Sequence, residues 1–151
     1  MTEKVKLKEE IIENCKRQHM ETIKNLTREM EECQQMANEY GPPKDRYDAF
    51  RSQMLRRRDI FAEQLQKANQ DINTLNMIKP DELKTRIEFG SVVITDRQKF
   101  FVAISMGKVL AGGEVYQAIS PNVPIFNVLK GLKKGDTTSF NSNPIQIVDV
   151  F

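Results

Sequence analysis

The chain of 151 residues and 17.5 kDa carries 39% hydrophobic and 29% charged residues and no tryptophan, which leaves room for one or two small domains. Leu, Ile, Val and Phe are too frequent for a disordered chain. With 23 basic against 21 acidic side chains, the net charge of +2 supplies no global field that would gather nucleic acid or an anionic membrane.

The start, Met1-Thr2-Glu3-Lys4-Val5-Lys6, lacks the apolar stretch of a signal peptide, and no run approaches the ~18 to 20 apolar residues of a membrane span. A cytoplasmic chain without membrane contact is expected. Apolar or small residues then recur at Ile12, Cys15, His19, Ile23, Leu26, Met30, Cys33 and Ala37, in steps of three and four that mark a helical seam. Neither Pro nor Gly occurs between Glu3 and Glu39, so the spacing predicts one helix of ~35 residues, about 50 Å long. Cys15 and Cys33 lie 18 residues apart on it, about 27 Å, and should stay reduced. His19 is the single histidine and reads as a seam residue; with no Cys or His pair at metal spacing, a zinc site and a His-based triad are disfavoured.

Tyr40-Gly41-Pro42-Pro43 cannot continue the helix. A second seam follows at Tyr47, Phe50, Met54, Arg57, Phe61, Leu65, Ala68, Ile72 and Leu75, predicting a second long helix over about 44–77. So short a connection folds the two back on each other, which gives residues 1–78 as an antiparallel coiled-coil hairpin with its tip at about 40–48. The first 40 residues carry 7 basic and 9 acidic side chains and residues 44–78 carry 7 and 5, so neither arm is a strong nucleic-acid binder. Arg56-Arg57-Arg58 is the densest basic run, but on a helix its members point three ways, which favours a solvated face over an RNA contact.

After Ile78-Lys79-Pro80 the pattern changes to short β-type runs at 86–89, 91–94, 100–104, 115–119, 137–140 and 145–150, broken by Gly112-Gly113 and Asn122. Residues 123–130 read as a short helix with proline in its first turn, ended by Gly131. Residues 79–151 therefore form a second domain, a small sheet of five or six strands with one helix, and the chain as a whole is α+β. Gly131, Gly135 and Asp136 are expected to shape turns.

The run Ile119-Ser120-Pro121-Asn122-Val123-Pro124-Ile125-Phe126-Asn127-Val128-Leu129-Lys130-Gly131-Leu132-Lys133-Lys134-Gly135-Asp136 resembles the Ile-Ser, Ser-Pro, apolar helix, Leu-Leu-Gly, Lys-Lys, Gly-Asp pattern of the Gre family of bacterial transcript-cleavage factors. Phe89-Gly90-Ser91-Val92-Val93 is similar to the Phe-Gly-Ser-x-Val that opens that family's C-terminal domain. These motifs lie within residues 89–136, and the helical arms agree with the family in architecture. The resemblance implies an FKBP-like C-terminal domain, a partner in the bacterial RNA polymerase elongation complex, and a monomeric factor whose hairpin enters the secondary channel. Contact with RNA and DNA would be indirect. In the family the tip acids help hold a catalytic magnesium ion while the polymerase hydrolyses backtracked RNA, so the factor is no enzyme and has no catalytic residues or cofactor of its own.

The family tip runs Gly-Asp-x-x-Glu-Asn-x-Glu-Tyr, whereas this one runs Gly41-Pro42-Pro43-Lys44-Asp45-Arg46-Tyr47-Asp48. Anchored on the glycine, Pro42 replaces the first acid while Asp45 and Asp48 fall on the later glutamates. A register shifted by three instead puts Asp45 and Asp48, spaced i to i+3, on the family's acid pair. Both registers stay open, and with them both a cleavage-stimulating and a channel-occupying regulator. Asp45 and Asp48 are the candidate magnesium-presenting residues, against a plain helix-start role for Asp45. Val123, Pro124, Ile125 and Phe126 are the candidates for docking on the polymerase rim, against a plain packing role. Two other functions compete. An FKBP-like fold can host prolyl isomerisation, and a prefoldin-like chaperone also pairs helical arms, though with its β segment between the helices rather than after them.

Overall fold

The long stretch free of helix breakers folds as expected. In a computed structural model, which describes residues 2–39 and 45–151 and only the backbone at 45–47, the first helix, α1, runs Glu3–Asn38 and the second, α2, Asp45–Asn76. The Thr2 hydroxyl accepts the Val5 N–H at 3.2 Å and so caps α1, while Glu3 sits favourably against its N-terminal dipole. The last turn of α2 tightens, with Met77 and Ile78 N–H groups bonding three residues back to Thr74 and Leu75 before Pro80. No helix among the described residues is long and apolar enough to cross a membrane.

Two compact units emerge, residues 1–16 with 74–151 and residues 17–73. In the second unit the helices run antiparallel, because His19 meets Asp71 while Gln34 meets Arg58. Cys33, Ala37, Met54 and Ala68 are buried there, and Ile23, Leu26, Phe61, Leu65 and Ile72 are half-buried. One seam position differs from expectation. Arg57 is exposed, and Arg58 instead turns inward to Gln34.

In the first unit six strands follow: β1 Val92–Thr95, β2 Lys99–Val102, β3 Gly107–Ala111, β4 Glu114–Ile119, β5 Thr137–Phe140 and β6 Asn143–Val150. A short helix, α3 Pro124–Leu129, lies between β4 and β5. The sheet is mixed, in the order β3-β4-β2-β1-β6-β5, with β2 and β4 parallel and the other neighbours antiparallel. Turn chemistry sets the hairpins. The Thr95 hydroxyl accepts the N–H groups of Arg97 and Gln98 between β1 and β2. Gly112 and Gly113, at φ 57 and 77, join β3 to β4, and Asn141 and Ser142, at φ 51 and 67, join β5 to β6. Both pairs give the left-handed two-residue turns that match strand twist.

Two strand expectations fail. Residues 86–89 form no strand: Arg86 makes one isolated bridge to Lys133, and then the Ser91 hydroxyl folds back on the Glu88 carbonyl at 2.7 Å ahead of Gly90 at φ +90. That turn ends pairing before it can extend. Conversely, 107–111 is a strand the sequence concealed, since only Val109 and Ala111 of its residues face inward.

Core packing uses both faces of the sheet. Ile87, Val93, Phe100, Val102, Phe126, Leu129, Ile145, Ile147 and Val150 form one cluster that takes in α3. The opposite face presents Val92, Phe101, Val109, Ala111, Tyr116 and Ala118, all buried, in a unit whose helical residues Val5, Ile11, Ile12, Cys15 and Leu75 are buried as well. Polar groups of α1 grip the β3–β4 hairpin: Asn14 donates to the Leu110 carbonyl at 2.6 Å, and Glu10 accepts the Gly112 N–H at 3.3 Å.

Lys8 is fully buried here, its ammonium donating to the Glu82 carbonyl at 3.1 Å. Loss of hydration, and secondarily the nearby Lys84 charge, push its pKa from 10.5 down to about 8. The folded chain therefore bears a constant penalty below pH 8, which is relieved as pH rises from 8 toward 10.5. Lys8→Met should stabilise the protein by about 1 to 3 kcal/mol at neutral pH, an advantage that shrinks across that alkaline window. Paired urea-unfolding curves of the two chains across pH check this, since ionisations common to both cancel.

Candidate functional site

The run that follows β4 sets the geometry of the first candidate. Val123 precedes α3 in extended conformation and Pro124 opens the helix, its fixed φ and missing N–H suiting that position. The helix turns Phe126 and Leu129 into the core and leaves Val123 and Ile125 half-buried and Pro124 exposed. Of the four docking candidates, three thus reach the surface, whereas Phe126, 7% exposed, is a packing residue.

Val123, Pro124 and Ile125 line an open groove of about 320 Å³ with Phe100, Ile119 and Phe140, edged by Gln98 and Gln117. Sequence reasoning missed the strand side of this groove. The signal was present, because Phe100 pairs with Gln117 across β2 and β4, so both lie on one face, and alternation carries that face to Ile119. Gln98 and Gln117 also line a second groove of about 330 Å³ with Arg97, Lys99, Gly113, Glu114 and Val115. Beyond it, Val115 and its cross-strand partner Leu110 are 45% and 63% exposed. The result is a strip crossing β3, β4 and β2 to the start of α3, apolar at its two ends and polar at Gln98 and Gln117 between them. Lys108, the cross-strand partner of Gln117, is exposed, Lys99 pairs with Glu114 at 3.4 Å, and Arg97 donates to the Pro144 carbonyl.

No family model, curated protein or solved structure matches this chain. Function must therefore be argued from the chain's own residues.

At the other candidate, residues 40–44 lie outside the described residues, as does the side chain of Asp45. The backbone is helical from 45 onward, so positions 45 and 48 stand one turn apart, and Asp48 is exposed. The described residues hold no group of three or more His, Cys, Asp or Glu suited to a metal ion.

The histidine, the basic run and the cysteines lie elsewhere. His19 Nε2 approaches Asp71 Oδ2 to 3.2 Å without hydrogen-bond alignment, and Lys67 takes the other Asp71 oxygen at 3.2 Å. Arg56 donates to its own helix at Ser52, Arg57 is exposed, and Arg58 bonds Gln34 and Asp59, so the basic run does not converge on a ligand. Cys15 and Cys33 are free and buried, and burial pushes the Cys15 thiol up to about 12. It stays protonated and unreactive at neutral pH.

Core and surface roles in the strip separate by mutation. Phe126→Ala should cost about 3 to 5 kcal/mol in chemical denaturation, whereas Val115→Ser should cost less than about 1 kcal/mol. Equal losses at the two positions would contradict the assignment.

Proposed function

We propose that the chain is a Gre-type elongation factor of bacterial RNA polymerase. The paired helices are read as a coiled-coil hairpin that enters the secondary channel, and the C-terminal sheet with its helix as an FKBP-like domain that docks at the channel rim. What supports this most is the order of parts. Two long helices joined by a few residues precede a six-stranded mixed sheet, and within it the Gre-like run takes the form of a strand end, a proline-led helix and a Gly-Asp turn. In that turn the Asp136 carboxylate accepts the Lys133 N–H at 3.0 Å while Gly135 and Asp136 bond to Ile147. Those residues thus shape the domain, and the strip is left for the partner.

The reading makes the chain an accessory and not an enzyme. Magnesium prefers about six oxygen ligands, and Asp45 with Asp48 can furnish only part of such a shell. An ion at this tip would be held jointly with carboxylates of the polymerase, and it would supply activation of the attacking water. Pro42 in the place of the family's first acid, with Lys44 and Arg46 among the tip residues, favours a factor that occupies the channel over one that speeds hydrolysis.

A stalled, backtracked elongation complex decides among these. The protein should compete with an authentic Gre factor for the complex, and Leu110→Asp with Val115→Asp should abolish competition without unfolding the chain. Asp45→Ala with Asp48→Ala should leave competition intact and remove whatever magnesium-dependent RNA cleavage the wild type stimulates. Absence of competition would sink the polymerase reading. Cleavage that persists in the double alanine variant would sink the carboxylate role alone.

A further inference from the structure

We propose that residues 79–85 form a flap over Lys8 that opens locally, without unfolding of the unit, and that the ammonium enclosed beneath it drives the opening. Ile78 and Ile87 are buried, and none of the eight residues between them is. No helix or strand includes 79–85, and Arg86 then anchors the far end on Gly131 and Lys133. The Glu82 N–H bonds only within the stretch, to the Lys79 carbonyl at 3.1 Å, and the ion pairs of Lys79 with Glu82 and of Lys84 with Glu88 are local as well. With Phe89 and Gly90 the stretch walls a cleft of about 50 Å³, so its inner side is not close-packed. Among the described residues, the one hydrogen bond that joins 79–85 to another element is the bond from the Lys8 ammonium to the Glu82 carbonyl. A stretch with so little burial and so few bonds belongs to the low end of local stability.

Opening returns to Lys8 what enclosure removes. Water reaches the ammonium and replaces its bond to the Glu82 carbonyl, while Ile78 and Ile87 stay buried at the two hinges, so no core is given up. The charges that act on Lys8 belong to this stretch and its end: Lys84 opposes the ammonium, and Glu82 and Glu88 favour it. Enclosed, Lys8 holds its proton to about pH 8, and in water to about 10.5, so the open state binds the proton more tightly. The open fraction is therefore constant and highest below pH 8, and it falls as pH rises from 8 toward 10.5. Open molecules remain a minority, and a neutral side chain at position 8 makes them rarer.

Trypsin reads the opening on the full chain, since cleavage between Lys84 and Thr85 needs the flap to leave its seat. Near pH 7.5, Lys8→Met should slow that cleavage by roughly tenfold or more, with products followed by mass spectrometry. Near pH 9.5 the ratio of the wild-type to the variant rate should shrink by about tenfold, the protease's own pH dependence cancelling in the ratio. In the wild type the rate should depend on urea far less steeply than whole-chain unfolding does, because a local opening exposes little surface. Equal rates in the two chains near neutral pH would overturn the proposal. So would a wild-type rate as steep in urea as global unfolding.

Discussion

The first unit depends on a sheet that must be covered on both faces. Val92 and Val93, and likewise Phe100 and Phe101, are neighbours in sequence whose side chains point to opposite faces, and none is more than 3% exposed. An antiparallel sheet with one wet face would show alternation at these positions instead. Six short strands and one six-residue helix can cover a single face, the one reached by Phe126 and Leu129. Coverage of the other face falls to residues 3–16 and 74–78, which explains why the start of α1 and the end of α2 belong to the same compact unit as the strands. A boundary drawn where the helical pattern stops misses this, because the pattern records local conformation while the unit records who buries whom.

That dependence also accounts for the polar contacts at the junction of α1 with the β3–β4 hairpin. Strand β3 is an edge of the sheet, and an open edge invites pairing with another chain. Asn14 reaches the outward Leu110 carbonyl and Glu10 the Gly112 N–H, so the helix that buries the face also occupies part of the edge. Gly112 answers a steric need as well as a turn need, since a Cβ there would stand 3.2 Å from Leu7. Lys8 is the unfavourable member of this junction. Its stem packs in the interior while its ammonium holds the Glu82 carbonyl in the segment that leads from α2 to the sheet. A buried charge of this kind lowers stability and fixes one arrangement of the partners it bridges.

Both long helices were legible because their seams persist over many turns and their boundaries carry glycine and proline. Five of the six strands were legible for the same kind of reason, as β-branched and aromatic residues cluster at 92–94, 100–102, 115–119, 137–140 and 145–150. Strand β3 was not, since its glycine, lysine and exposed leucine obscure a period that only Val109 and Ala111 keep. The false strand at 86–89 has the right composition but is closed off by a serine side chain, a contact that propensity does not encode. The docking candidates were half legible. Chain proximity brought Val123, Pro124 and Ile125 to notice, whereas Phe100, Ile119 and Phe140 come to the same groove from β2, β4 and β5, and only the sheet order assembles them. Phe126 looked no different in sequence from its neighbours, and the helical turn alone decides that it faces inward.

Cys15 is held protonated by burial, His19 sits beside Asp71, and Lys8 is enclosed with its ammonium on the Glu82 carbonyl. Large apolar side chains, by contrast, are left in solvent where packing could have covered them. Leu110 and Val115 face each other across β3 and β4 at a point where an exposed polar pair would cost the sheet nothing, and Ile60 stands on a helix face flanked by charge. Apolar area left in water forgoes the burial that stabilises a fold, about 25 cal/mol per Å². Its retention beside grooves of several hundred cubic ångströms is understandable if partners cover it.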